Sequence, residues 1–338
     1  MKLKKYISII IVIVLITCFV IGKNIYNQKK EKSNDKFEIL TSFYPIYIMT
    51  LNVANGAEDV KVSNMAEKYT GCIHDYTLTT TDMKKFESCD IFIQNGAGLE
   101  TFSDKILESY PKIKVVNAAD GVNNFLTHNE DNSLEHNNIK LNNVEQNNMK
   151  KTDVERNNDE DHKIENHSED DEEVNSHIWL SISNYINEVI KITDSLMEMN
   201  SKNAKIYQKN CENYVNKLYK LKKKFDNLNL KNKKIINLNE SLEYMFKEND
   251  IDSVLIETDH EQSTISANKI RNIIELMQND KINEIYIDKN DSRKLADVLQ
   301  NETNAKIYVL DSAMSGDGSL DSYINIMNQN YEILKEQE

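Results

Sequence analysis

Glycine and proline are both scarce in this chain, 8 and 2 among 338 residues. The one stretch that tempts toward a glycine-rich dinucleotide fingerprint, Asn95-Gly-Ala-Gly-Leu-Glu100, lacks the third glycine and the downstream acidic partner, and reads as a tight turn. Cysteine is limited to Cys18, Cys72, Cys89 and Cys211, too few and too scattered for a disulfide scaffold. Cys72 and Cys89 are close enough in sequence to pair in an exported protein, but an inert buried thiol is the simpler reading of Cys72. Basic residues are outnumbered, 41 Lys and Arg against 55 Asp and Glu, for a formal charge of -14. That balance argues against a nucleic-acid binder, which needs clustered Lys and Arg for phosphate contacts, and suits a chain that meets cations. No His-Glu-x-x-His pair occurs, so the usual zinc-hydrolase signature is missing.

A single long apolar run is present. Residues 7–22 are almost unbroken hydrophobic, after the basic start Met1-Lys-Leu-Lys-Lys-Tyr6 and before Lys23. This reads as a signal segment or one membrane anchor, so the remainder is exported. Leu15-Ile-Thr-Cys18 resembles a lipoprotein cleavage box, in which Cys18 becomes the lipidated N-terminus. Thr17 is bulkier than the usual residue there and apolar residues continue past Cys18, which keeps an uncleaved helix equally in play. Either arrangement tethers the protein to the extracytoplasmic face of the cell membrane.

Beyond the tether, short apolar stretches alternate with helical ones. Strands are predicted around residues 37–43, 59–64, 90–95 and 112–118, and again around 234–239, 253–258, 283–288 and 306–311. Strand-helix alternation implies parallel sheets, and two such runs imply an α/β protein of two lobes. The divisions expected are a signal or anchor with its tether over 1–35, an N-terminal α/β lobe over 36–118, an insert over 119–176, a ligand loop and linking helix over 177–230, and a C-terminal α/β lobe over 231–338. The insert is rich in Asn, Asp, Glu and His with almost no aromatic residue, a composition that cannot bury a core. From Ile182, apolar residues recur at helical spacing (Ile186, Val189, Ile192, Leu196, then Tyr207, Tyr214, Leu218, Leu221), with a cap or break expected within 199–205. Such a helix would form a stiff spine between the lobes.

Ligands of open α/β sheets bind beyond the carboxyl ends of the strands. Several chemically capable residues fall there: His74 after the second strand, Asn239 and Glu240 after the fifth, His260 after the sixth and Asp311 after the eighth. His177 lies between the insert and the spine. Taken singly, each has an ordinary explanation: an exposed loop histidine, or an aspartate capping a turn. Taken together, imidazoles and carboxylates on one face are a donor set for a first-row divalent metal, zinc or manganese. In Gly71-Cys-Ile-His-Asp-Tyr76, the Asp, Tyr and following Thr side chains can fix the loop and the second imidazole nitrogen, and Thr79 to Asp82 reads as a helix cap. The histidines of the insert (His128, His136, His162, His167) read from composition alone as part of a polar tract.

The stretches Leu40-Thr-Ser-Phe-Tyr-Pro-Ile-Tyr47, His74-Asp-Tyr and the residues to Phe102, His177-Ile-Trp-Leu-Ser-Ile-Ser-Asn184, and residues 305–336 occur in that order. In these the chain resembles the solute-binding proteins of zinc and manganese ABC importers, the cluster A-I metal-binding lipoproteins of the zinc-uptake type. The resemblance covers nearly all of residues 37–338 except the insert. It implies two lobes, each with a four-stranded parallel sheet flanked by helices, joined by a long rigid backbone helix, with the metal held between the lobes. His74 and His177 match family histidines and Asp311 matches an acidic ligand. Where zinc members carry a third histidine this chain has Asn239, so Glu240 and His260 compete for the remaining place. Zinc members often carry a His- and acid-rich loop at the position of the insert, which gives its histidines a role in loosely holding metal. The implied activity is capture of zinc, with manganese second, and delivery to a membrane permease by a monomer that performs no chemistry. Two other classes fit the sequence less well. A metallohydrolase would need a general base, nominally Glu240 or Glu257. A metal-containing surface adhesin suits the anchor, but no aromatic cluster in the sequence marks a partner surface.

Overall fold

In each half of the chain, four short apolar stretches pair in parallel. Phe37–Thr41 (β1), Val60–Asn64 (β2), Ile91–Gln94 (β3) and Lys114–Asn117 (β4) form one sheet in the order β2-β1-β3-β4. Lys234–Asn237 (β5), Asp252–Leu255 (β6), Glu284–Asp288 (β7) and Lys306–Leu310 (β8) form a second in the equivalent order, β6-β5-β7-β8. The computed structural model describes residues 36–67, 71, 73–127, 174–256 and 266–337. The apolar N-terminal run with Cys18, Cys72, the four insert histidines, Glu257 and His260 lie outside the described residues. The central strands read as unbroken apolar runs because helices cover both faces of a parallel sheet. Ile91, Phe92 and Ile93 of β3 are all fully buried, with Ile93 opposite Thr41 on one side and Val116 on the other.

Helices Tyr44–Ala54 (α1), Thr80–Ser88 (α2) and Ser103–Ser109 (α3) flank the first sheet. Glu243–Glu248 (α6), Ala267–Asn279 (α7), Lys294–Thr303 (α8) and Ser322–Lys335 (α9) flank the second. Between them lie Ile182–Met199 (α4) and Ala204–Phe225 (α5). At 22 residues, α5 spans about 33 Å and is the long connecting helix. The break expected near 199–205 is a reversal: Asn200 leaves the helix at φ -131°, Ser201–Asn203 makes a tight turn, and α5 returns along α4. The Tyr185 and Tyr214 hydroxyls meet at 3.1 Å across that hairpin. The spine is therefore two packed helices rather than one extended rod. Its first amides are tied to the far lobe, since the Glu248 carboxylate accepts from Ile182 N at 2.7 Å and Ser183 N at 3.0 Å. This places an acid where the helix has unsatisfied N–H groups and partial positive charge.

One apolar core runs from the first sheet through the spine to the near face of the second, including Leu40, Trp179, Val189, Phe246 and Tyr286. A smaller one lies behind the second sheet, under α7 and α8. Trp179 joins the halves. Its ring meets Phe43 edge-on at 4.9 Å, its indole N–H donates to Ser312 O at 2.9 Å, and its carbonyl accepts from the Tyr323 hydroxyl at 2.8 Å. Tyr323 in turn stacks on Tyr185 at 3.6 Å. Trp179→Ala is expected to cost about 3–5 kcal/mol by emptying this junction, and Trp179→Phe about 1 kcal/mol through the lost indole bond. Urea unfolding followed by far-UV circular dichroism would measure both; equal midpoints for wild type and Trp179→Ala would refute a shared core.

Residues 119–127 differ from the polar insert expected there. Ala119 and Val122 are buried, and the turn Ala118–Gly121 lies so close to α4 that a Cβ on Gly121 would sit 2.8 Å from Asn187 O. The few apolar residues at the start of that segment are enough to hold it on the spine. Thr127 and Val174 then pair in an antiparallel bridge, so the described ends of the insert lie side by side.

Candidate metal centre

His74 rides on the single turn Ile73–Asp75 between β2 and α2. Ile73 is fully buried and pins the turn from below. Asp82 holds it from the side. Its carboxylate accepts from the Tyr76 hydroxyl at 2.8 Å, the Thr79 amide at 2.8 Å and the Thr79 hydroxyl at 2.7 Å. Thr79 and Asp82 complete a reciprocal capping box on α2, the cap expected from the Thr run. Burial and the adjacent Asp82 push the Tyr76 phenol well above its ordinary value. The imidazole Nε2 of His74 meets Ser176 Oγ at 3.1 Å.

His177 stands immediately before the turn Ile178–Leu180 and is only 7% exposed. Its ring lies 5.6 Å from that of His74 and 5.3 Å from that of Trp179, centroid to centroid. Both its backbone N–H and its Nδ1 lie 3.0 Å from Asn175 Oδ1. Nδ1 also lies 3.3 Å from Glu240 Oε1. The segment is held in place from both lobes: Asn95 Nδ2 donates to Ser176 O at 3.0 Å, and the Tyr244 hydroxyl donates to Asn175 O at 2.8 Å.

The structure thus brings His74, His177 and Glu240 into one neighbourhood at the strand ends. Asn239, adjacent to Glu240, has its side chain engaged at both ends. Its Oδ1 caps the turn Glu240–Leu242 through the Ser241 amide and hydroxyl, and its Nδ2 donates to both oxygens of Asp291 at 3.0 and 2.9 Å. Asn239 is thus committed as a structural cap. Asp311, after β8, has one oxygen 2.7 Å from Lys289 Nζ and the other accepting from Ala313 N at 2.8 Å. Among the described residues no three His, Cys, Asp or Glu side chains close on one point as a metal-holding group. Cys89 is a half-buried free thiol, pushed up to about 12 by burial.

The stretch 95–100 is the tight turn expected, with Gly96, Ala97 and Gly98 all at positive φ. A Cβ on Gly96 would lie 3.0 Å from Asn117. The Glu100 carboxylate closes the turn by accepting from Asn95 N at 2.8 Å and Gly96 N at 3.0 Å. Asn175, Ser176, Asn95, Tyr244 and Lys289 escaped the sequence reading. Only Asn175 carried a usable signal, an asparagine two residues before a candidate ligand, where its side chain can fold back on the backbone.

Two parallel α/β lobes around a helical spine, with imidazoles and a carboxylate at the facing strand ends, define a bilobed metal-capturing solute-binding protein. The profile of the family described as zinc-uptake complex component A, periplasmic (ZnuA), matches residues 39–337. The chain belongs to that family. The high-affinity zinc uptake system protein ZnuA of Bacillus subtilis is 26% identical over 341 residues, covering 96% of this chain and 95% of that one. The zinc-binding lipoprotein AdcA of Streptococcus pneumoniae is 26% identical over 317 residues, covering 92% of this chain and 57% of AdcA, so the chain spans little more than half of AdcA's length. Zn(II)-bound AdcA from S. pneumoniae superposes with a TM-score of 0.66 at 24% identity, covering 89% of this chain and 57% of that one. The binding protein FpvC of Pseudomonas aeruginosa in complex with Mn2+ gives 0.68 at 19% identity, covering 89% and 97%. At these identities the solved structures speak to the fold. The family supplies the metal-binding component of an uptake complex and is not a family of enzymes.

Proposed function

We propose that this protein captures a divalent transition metal outside the membrane, zinc first and manganese second, and delivers it to an ABC permease. The observation that carries this reading is the approach of His74 and His177 to 5.6 Å between ring centroids, with Glu240 alongside, at the strand ends of a zinc-uptake family fold. His74, His177 and Asp311 are the proposed ligands, with Glu240 and His260 competing for the remaining place. A metal on His74 Nε2 would displace the Ser176 hydroxyl, and one on Asp311 would exchange with Lys289. Two imidazoles with carboxylate oxygen fit zinc, and a larger carboxylate share moves the set toward manganese. The metal is cargo, so the protein's task is to bind, exclude water and let go. The core shared by both lobes favours small lobe movements over a wide hinge.

The chain is tethered to the outer face of the membrane, by lipid on Cys18 or by an uncleaved N-terminal helix, and works as a monomer. The lobes are residues 36–118 and 231–338. Within the insert of 119–176, Thr127 pairs with Val174, three residues before His177. The insert's histidines serve as a loose first station for the ion.

The test is chelator competition on the metal-stripped full chain with Zn2+ and Mn2+. His74→Ala, Asp311→Ala, Glu240→Ala and His260→Ala are compared with wild type. One tight site lost in His74→Ala is expected, and the variant at 240 or 260 that weakens it names the remaining ligand. A zinc preference should accompany His260, and a manganese preference Glu240. No tight site in the wild type would sink the importer reading.

A further inference from the structure

We infer that Asn175 is the positioning residue of the metal centre: it sets the tautomer of His177 and ties that ring to the C-terminal lobe. The inference rests on the proposed role of His177 as a ligand and goes one layer outward from it. Asn175 is 1% exposed, and each of its four polar groups is engaged. Its Oδ1 faces both the backbone N–H and Nδ1 of His177 at 3.0 Å. Its Nδ2 donates to Glu240 O at 3.2 Å. Its N–H donates to Leu126 O at 2.9 Å, and its carbonyl accepts from the Tyr244 hydroxyl at 2.8 Å.

These bonds decide a question that a histidine alone leaves open. The amide orientation of Asn175 is fixed twice over: its oxygen takes a backbone N–H, which can only donate, and its nitrogen faces a carbonyl, which can only accept. The atom facing His177 Nδ1 is therefore an acceptor, so Nδ1 carries the proton. In the neutral ring that leaves the lone pair on Nε2, and a metal is bound through the nitrogen that bears the lone pair. Glu240 Oε1, 3.3 Å from the same Nδ1, reinforces the choice by favouring a proton there.

The remaining bonds make the setting depend on the position of the second lobe. Glu240 and Tyr244 both follow β5, and the Tyr244 hydroxyl also accepts from Leu126 N at 2.9 Å. Asn175 is thus stitched to the C-terminal lobe twice, through Glu240 O and through Tyr244. A shift of that lobe pulls on the residue that aims the His177 ring. Opening of the lobes would turn the ring away from its metal-binding pose without breaking any covalent link, which couples ion release to lobe position.

Three variants test this in the full chain: Asn175→Ala removes the acceptor, Asn175→Asp keeps it but loses the donor to Glu240 O, and Tyr244→Phe cuts the second tie together with the bond from Leu126 N. Two readouts are needed. The 15N shifts of His177 in the metal-free protein report the tautomer directly, and zinc competition reports affinity. Asn175→Ala is expected to shift His177 away from the Nδ1–H form and weaken zinc by about 10–100-fold, the usual cost of losing an outer partner. Asn175→Asp should restore the tautomer, and Tyr244→Phe should keep it while weakening zinc. An unchanged His177 tautomer in Asn175→Ala overturns the proposal, as does failure of Asn175→Asp to restore it. The tautomer is read without metal, so a failure of His177 as ligand, shown by wild-type affinity in His177→Ala, is distinguishable from a failure of Asn175 as its positioner.

Discussion

His177→Ala is expected to weaken zinc binding by more than about 100-fold. Loss of an outer partner of a metal-bound histidine already costs roughly 10–100-fold, and removing the imidazole removes both the bond and everything arranged to aim it. Among the candidate ligands His177 has the most invested geometry. It is nearly buried, its Nδ1 faces both Asn175 and Glu240, and it packs against the ring of Trp179. Because Ile178, Trp179 and Leu180 beyond it are fully buried, the loop should keep its course when the ring is cut back. Circular dichroism and urea midpoints near wild type would confirm that. His177→Asn, which keeps a polar group of lower affinity for zinc, should bind only slightly better than alanine. Chelator competition decides the matter: wild-type affinity in His177→Ala would remove this residue from the ligand set and the cleft with it.

The strands were legible because each is a short apolar run bounded by polar residues, and such runs have little choice in a sheet covered on both faces. The helical periodicity from Ile182 to Leu221 was equally plain. The reversal at Asn200 showed as a break but not as a hairpin, because no glycine or proline marks it. The turn is stapled by side chains instead, with Asn203 donating to Asp59 at 3.0 Å and to Asn200 at 3.3 Å. The same reason explains what was hidden in the site. His74 and His177 stand in long recognisable motifs, whereas the use of Asn239 as a cap and of Lys289 as partner to Asp311 depends on where short and long polar side chains point. Spacing along a chain carries no information on that. The start of the insert misled in the opposite direction, since Ala119 and Val122 sit in a compositionally polar stretch yet are buried against α4.

Glu188 is the clearest case of a residue that pattern reading passes over, and it leads to the other large expected effect. It falls on the buried stripe of α4 with Tyr185, Val189 and Ile192, is fully buried, and among the described residues neither carboxylate oxygen has a hydrogen-bond partner. Its electrostatic neighbours are Glu100, also buried, and the phenols of Tyr185, Tyr244 and Tyr323. None is a cation. Burial, then the charge of Glu100, drives Glu188 well above the ordinary 4.5, which favours the protonated form in the folded state. Glu100 is itself pushed up to about 7 by burial, against the pull of the Asn95 and Gly96 amides. The sign follows from linkage: the folded chain keeps protons that the unfolded chain releases above 4.5, so stability is greatest below that value and falls as pH rises. Each proton held by the folded chain alone costs about 1.4 kcal/mol per pH unit over the range in which it is held. Glu188→Gln has the same shape and no proton to lose. Urea unfolding at pH 5, 6 and 7 should show the wild type losing stability more steeply than Glu188→Gln, by about one proton's worth of slope, with the variant the more stable at pH 7. Parallel curves would mean that Glu188 is ionised in the folded protein and has a cationic partner. The contact matters for the centre because Glu100 closes the turn that carries Asn95, and Asn95 holds the carbonyl of Ser176 beside His74 and His177. Ionisation of both Glu100 and Glu188 at high pH sets two like charges against each other behind that turn. The scaffold under the candidate ligands should therefore loosen at alkaline pH before the sheets themselves give way.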